Sequence, residues 1–334
     1  MSTKFQESML DDLVKLVLEN DVVQLSILPE LGGKIVSLIW KPAGREHLWR
    51  HPGRPFRRPE YAGDFESYDI SGWDECFPTI AEVVYPDPPW KGITVPDHGE
   101  VWALPWQWKF DAGVLRMWVH SVRFGYRFER AITLRDAGQV DISYRVVNPT
   151  PFPLKSLWSM HPFFNVTPSS RVLLPAGVSV RVDYSLGWRI GSYLSNHDWP
   201  RTIDNDGEIV DLGLMGPEQP FFEKLFTTRL PAGWTALYDE ADGGFLAFTF
   251  DPDAVPYVGI CHMRGGWPAN DVHSYSTILE PCSGWPDRLD IAASRGDYLE
   301  IPAEGERTWD LTLPLGQGKP ELEHAIGCPV DSDA

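Results

Sequence analysis

Between residues 113 and 148 the chain offers little but strand material. Val114 to Val119, Val122 to Phe128, Ala131 to Leu134 and Val140 to Val147 are short runs rich in β-branched and aromatic residues. Asp136-Ala137-Gly138 breaks the series and Asn148-Pro149-Thr150 closes it. Branched and aromatic side chains suit a pleated surface, whereas Gly, Asp, Asn and Pro supply the backbone geometry of turns. The same texture recurs at Val14 to Leu18, Val22 to Leu28, Lys34 to Trp40, Leu154 to His161, Trp234 to Tyr238, Phe245 to Phe250, Tyr257 to His262, Tyr275 to Glu280 and Trp309 to Leu313. No segment past residue 20 has convincing helical periodicity, and neither an internal repeat nor a compositional break marks a linker. Strands at this density predict an all-β fold: one large antiparallel β-sandwich domain over residues 1–334, with its core in about 14–315 and few short helices. Residues 1–12 read as a polar arm, 41–72 and 185–222 as loop-rich excursions, and the tail from Gly316 as irregular.

The charge balance narrows the partners. With 29 basic and 47 acidic residues the chain carries a net −18, which disfavours nucleic acid and anionic membrane surfaces, both of which require basic residues. No run approaches the roughly 18 apolar residues of a membrane span. The start Met1 to Glu7 lacks the apolar stretch of a signal sequence. The four cysteines, at 76, 261, 282 and 328, have neither zinc-ribbon spacing nor a disulfide pattern. The expectation is a cytoplasmic protein with free thiols and no cofactor; the oligomeric state is left open. Fifteen tryptophans provide flat apolar faces suited to core packing and to stacking on sugar rings alike.

Glu280 ends the Tyr275-to-Glu280 run, just before a Pro-Cys-Ser-Gly-Trp-Pro loop. Proline and glycine stop the strand there, so the carboxylate stands on a rigid element at the edge of irregular backbone. His161 sits on the Leu154-to-His161 run, sharing a face with Leu157 and Ser159 by the two-residue period. A carboxylate and an imidazole can divide base and acid work near neutral pH, or form a structural ion pair. His98, in Asp97-His98-Gly99-Glu100, precedes a glycine that permits close approach of backbone or ligand. A metal there would need at least a third convergent ligand, and no such spacing is present. Asp74 and Glu75 are candidates for sugar hydroxyls or for solvation. Trp73, Trp106, Trp267 and Trp285 are candidates for stacking or for the core. Arg57, Arg58 and Arg264 could grip an anionic substituent. Phosphate-loop, dinucleotide and serine-elbow motifs are absent.

Four pieces, in this order, resemble the aldose 1-epimerase (galactose mutarotase-like) superfamily: Pro29-Glu30-Leu31-Gly32-Gly33-Lys34-Ile35-Val36-Ser37-Leu38 with Glu46-His47-Leu48-Trp49; His98-Gly99 followed by Trp106; His161-Pro162-Phe163-Phe164-Asn165-Val166; and Leu279-Glu280-Pro281-Cys282-Ser283-Gly284. The resemblance implies a β-supersandwich with a shallow, open sugar cleft and a cofactor-free, metal-free reaction. Glu280 would take the proton of the anomeric hydroxyl, and His161 would protonate the ring oxygen. The ring would open, rotate about C1–C2 and reclose, with the two groups straddling one sugar ring. The ligand expected is a small-molecule sugar, contacted by His98 and by Trp73, Glu75, Trp106, Arg264 and Trp285. The sequence departs from the family in two places. The substrate-binding arginine before His-Gly has no match, the acidic Gly72-to-Pro78 segment standing in its place, and Met160 replaces the Asn before the histidine. Such a divergent branch leaves two other readings on the same fold, a non-catalytic carbohydrate-binding protein and a lyase- or hydrolase-like carbohydrate enzyme.

Overall fold

The structure is a computed structural model that describes residues 3–268 and 274–330. Two large antiparallel sheets face each other. In the first, the strands run in the order Lys4–Leu10, Leu13–Glu19, Val23–Leu28, Lys34–Trp40, Trp73–Cys76, Ser159–Asn165, Tyr275–Cys282, Tyr257–Arg264, Phe222–Thr227, Ser179–Ser185, Asn196–Asp198. In the second the order is Ser170–Leu173, Trp234–Asp239, Gly244–Phe250, Gly305–Gln317, Gln139–Asn148, Arg127–Leu134, Val114–His120, Gln107–Asp111.

The two sheets differ in what covers them. Arg127–Leu134 and Gln139–Asn148 alternate strictly between buried and more exposed residues, so the second sheet has one core face and one wet face. The central strands of the first sheet, Ser159–Asn165, Tyr257–Arg264 and Tyr275–Cys282, are buried along nearly their whole length. Their inner residues, among them Met160, Phe164, Ile260 and Leu279, join the main core between the sheets. Their outer residues Phe163, Cys261, Met263 and Ile278 pack instead with Phe65, Ile70 and Trp102, which lie on loops folded across that face. The long excursion after Trp40 is therefore a cover for the outer face of the sheet.

Several boundaries differ from those read in the sequence. The N-terminal arm is an edge strand: Lys4–Leu10 pairs along its length with Leu13–Glu19, because backbone pairing needs no apolar pattern at an exposed edge. Residues 1–2 and 331–334 of the expected arm and tail lie outside the described residues. Val122 to Phe128 is not one strand; Ser121 N–H donates to Tyr126 O at 2.9 Å, closing a turn, and the strand runs from Arg127 to Leu134. Leu154 to His161 divides into Leu154–Ser156 and Ser159–Asn165, which join different sheets. The tail carries the end of Gly305–Gln317 and a helix, Lys319–Ile326, that buries Leu322; a second short helix is Leu289–Arg295.

Candidate functional site

Strand register brings the two sequence-distant groups together. Ser159 pairs with Cys282 and Phe163 with Ile278, so His161 stands opposite Glu280 on the neighbouring strand, both on the outer face. His161 Nε2 lies 3.9 Å from Glu280 Oε1. Ser159, two residues before His161, donates its hydroxyl to Glu280 Oε2 at 3.3 Å. On the far side of Glu280 the next strand carries Gly259, where a Cβ would come within 3.3 Å of the Glu280 side chain. Lys224, one strand further on and opposite Cys261, brings its Nζ to 3.4 Å from Glu280 Oε1 and 2.7 Å from Asp287 Oδ2. Asp287 belongs to the loop after the strand Tyr275–Cys282, so that strand and the loop following it supply the two acids bonded to the lysine.

A second wall comes from the cover loops. His98 has φ +59 and is followed by Gly99 at φ +75; a Cβ on Gly99 would be 2.1 Å from Phe77 O. Only glycine fits that approach. The turn lays the His98 ring flat on Phe65, with centroids 3.8 Å apart, and edge-on to His161 at 4.9 Å. His98 Nδ1 lies 2.8 Å from Asp97 Oδ2, which fixes the ring. The cleft between these walls has a volume of about 270 Å³, near the lower end of the ~300–1,000 Å³ usual for small-molecule sites. Glu280, His161, Lys224 and His98 form its polar floor, and Phe65, Phe163, Phe222 and Trp267 its apolar sides.

Burial sets the electrostatics. Glu280 is fully buried and its carboxyl is pushed above the usual range by desolvation; Lys224 opposes the shift and Asp287 adds to it. Desolvation, with the neighbouring His98 and Lys224, drives His161 well below the ordinary imidazole value. Desolvation works against the Lys224 ammonium, but Asp287, Glu280 and Asp183 together outweigh it and hold the lysine well above its ordinary value. Asp183, on the neighbouring strand, is pushed up to about 7 by burial and by Asp287. Among the described residues no group of three or more His, Cys, Asp or Glu is arranged to hold a metal ion.

Of the expected sugar contacts, His98 lines the cleft and the others do not. Trp73 and Glu75 alternate with Asp74, whose neighbour in register is His161; Asp74 faces outward and the flanking pair faces the core. Trp73 is fully buried, edge-on to Phe248 of the second sheet. Glu75 accepts from Arg130 Nη1 at 2.9 Å, Tyr144 Oη at 2.8 Å and Trp158 Nε1 at 3.0 Å. Trp106 packs between Phe128 and the Arg130 guanidinium and gives its N–H to Val101 O. Trp285 has its ring taken by the guanidinium groups of Arg181 and Arg295, at 4.4 and 4.7 Å. Arg264 alternates with cleft-lining Met263, lies over Phe221 and bonds Met215 O. Arg57 and Arg58 are also engaged, with Ser67 O and with Asp12 and Glu30. Asp74 is buried against Lys34, 3.1 Å away, which also holds Asp69. Among the four tryptophans weighed for stacking, Trp267 reaches the cleft, its N–H on Glu66 Oε1.

Lys224, Asp287, Phe65 and Phe222 complete the cleft without having stood out as site residues. The available signal for Lys224 was a charged pair inside the otherwise apolar Phe221-Phe222-Glu223-Lys224-Leu225-Phe226 run.

A doubly layered antiparallel sandwich with a cleft on the outer face of one sheet is the galactose mutarotase-like fold. A protein provisionally described as an aldose 1-epimerase from Klebsiella pneumoniae superposes with a TM-score of 0.70 at 12% identity, over 97% of this chain and 86% of that one. A similarly described Escherichia coli K12 protein gives 0.64 at 19% identity, over 90% and 98%. A galactose mutarotase related enzyme from Lactobacillus acidophilus gives 0.62 at 14% identity, over 91% and 97%. At such identities the likeness establishes the fold. No protein-family model matches the sequence, and no curated protein does. No described helix is long and apolar enough to cross a membrane.

Proposed function

We propose that this protein interconverts the α and β anomers of an aldose. The observation that carries the reading is the placement of Glu280 and His161 side by side on neighbouring strands at the floor of one cleft, 3.9 Å apart. Ring opening moves one proton from the anomeric oxygen O1 to the ring oxygen O5, and both oxygens are bonded to C1. A base and an acid serving adjacent oxygens need to stand close together. A ring-wide gap between them, as the resemblance implied, is not required.

In the proposed reaction the Glu280 carboxylate removes the O1 proton, and imidazolium His161 gives its Nε2 proton to O5 as the C1–O5 bond breaks. Rotation about C1–C2 turns the other face of the aldehyde toward O5. Reclosure runs the two transfers backwards, with His161 taking the O5 proton and Glu280 returning one to O1. No redox change occurs and no further reactant is consumed. The raised Glu280 value makes its carboxylate a better base, and the lowered His161 value makes its imidazolium a stronger acid. Both gains come with a smaller population of the active protonation state. The His98 Nε2 is available for a sugar hydroxyl, because Nδ1 is held by Asp97.

The test is anomer exchange followed by NMR for a panel of neutral, acidic and phosphorylated aldoses. The expected result is exchange well above the buffer rate for at least one sugar, reduced at least about a hundredfold in Glu280→Gln, the lower end for a positioned acid or base. Sugar binding without faster exchange would identify a carbohydrate-binding protein instead.

A further inference from the structure

A chain of aromatic rings leaves the cleft and continues over the surface. Trp267 and Phe222 line the cleft and stack at 6.3 Å with 23° between their planes. Phe222 meets Tyr184 at 5.3 Å, and Tyr184 meets Trp188 at 5.5 Å. The inner two rings are part-buried, whereas Tyr184 is 37% and Trp188 41% exposed. Large exposed aromatics in contact are unusual unless something covers them. The outer end is also held in place. Trp188 has φ +54, and Asn205 fixes the turn from both directions: its side-chain amide donates to Trp188 O and its backbone N–H to Arg189 O, each at 2.7 Å. A rigid aromatic with two side-chain torsions contributes contact area at little entropic cost.

We propose that this stripe binds the sugar units beyond the reducing one, so that the preferred substrate is a reducing oligosaccharide. The reading rests on the anomer-exchange function proposed above. The reducing unit occupies the cleft over Glu280 and His161. The following units leave past Phe222 and lay their C–H faces on Tyr184 and Trp188, which present apolar rings and demand no particular hydroxyl pattern. Continuity with the cleft favours this occupant over a second copy of the chain. Protein docked on Tyr184 and Trp188 would crowd the route past Phe222 and Trp267 by which a sugar enters.

The experiment compares D-glucose, D-galactose, D-mannose and D-xylose with the β-1,4-linked disaccharide ending in each. Binding is measured by calorimetry and anomer exchange by NMR, on the full chain and on Trp188→Ala and Trp188→Phe. The expected result is that at least one disaccharide has a Kd about tenfold lower, or a kcat/KM about tenfold higher, than its monosaccharide. Trp188→Ala should remove most of that preference, and Trp188→Phe should restore much of it. Equal values for the mono- and disaccharide, or equal losses on both in Trp188→Ala, would overturn the proposal. So would a Trp188→Ala change confined to the mass in sedimentation, which would assign the stripe to a dimer interface. If no sugar is exchanged, the catalytic reading fails by itself. Disaccharide binding that depends on Trp188 would then still support the stripe, and its absence would overturn it.

Discussion

Glu280 is a carboxylate whose surroundings pull its proton affinity in opposite directions. Burial and Asp287 raise it, and Lys224 lowers it. His161 is displaced the other way, well below 6.5. Activity in the proposed reaction needs Glu280 without its proton and His161 with one. The kcat/KM should therefore fall at both extremes of pH, at the acid end because Glu280 keeps its proton and at the alkaline end because His161 has lost its own. A kcat/KM with no alkaline fall at any pH where the protein stays folded would remove His161 from the acid role. The two neighbours of Glu280 should move the limb that Glu280 sets in opposite directions: Lys224→Met raises it, because the opposing cation is lost, and Asp287→Asn lowers it. Full pH–rate profiles of the two variants distinguish this from general damage, which would lower the rate without separating the limbs. Glu280, His161 and His98 were legible in the sequence because each stands beside a proline or glycine that shapes its turn or strand end. Lys224 was not, since its meeting with Glu280 depends on a strand two places across the sheet, a pairing that no local pattern reveals.

At the scale of elements, the turn Asp97-His98-Gly99 does the most for the site. Its geometry is explained by a single close approach, Gly99 against Phe77 O, which sets the His98 ring on Phe65. Gly99→Ala should push the turn off the sheet, costing about 1–3 kcal/mol and weakening sugar binding. Gly113→Ala is the matched control: Gly113 also has a left-handed φ, +81, but open space around it, so strain of about 1 kcal/mol and unchanged sugar affinity are expected. Thermal midpoints and calorimetric Kd values for the two variants check both halves. Parity explains what sequence reading mistook on the neighbouring strand. Trp73, Asp74 and Glu75 were weighed by residue type and by nearness to a motif, but a strand sends alternate residues to opposite faces. Once His161 pairs with Asp74, Glu75 must face the core. The same blindness to pairing turned Lys4–Leu10 into an arm and joined Leu154–Ser156 to Ser159–Asn165.

At the scale of the whole molecule, the two sheets are joined by an apolar core that contains a charged clamp. Arg130 rises from the second sheet, is fully buried, and meets Glu75 of the first; Tyr144 and Trp158 complete the carboxylate's bonds, and Trp309 stacks on Tyr144 with centroids 5.3 Å apart. The all-β class and most of the strands could be read from local composition. The clamp could not, because it depends on which faces of two sheets meet. Its removal separates the structural from the sugar-binding reading of Glu75. Glu75→Ala leaves the Arg130 guanidinium without its counter-charge in the interior, and losing one partner of such a pair costs about 3–5 kcal/mol. Equilibrium unfolding in urea should show that loss as a lower midpoint with little change in slope, since the surface exposed on unfolding stays nearly the same. Anomer exchange per folded molecule should keep the wild-type KM, because Glu75 points away from the cleft floor. A raised KM with normal stability would mean that Glu75 reaches the sugar and that the inward parity of Trp73 and Glu75 does not hold in solution.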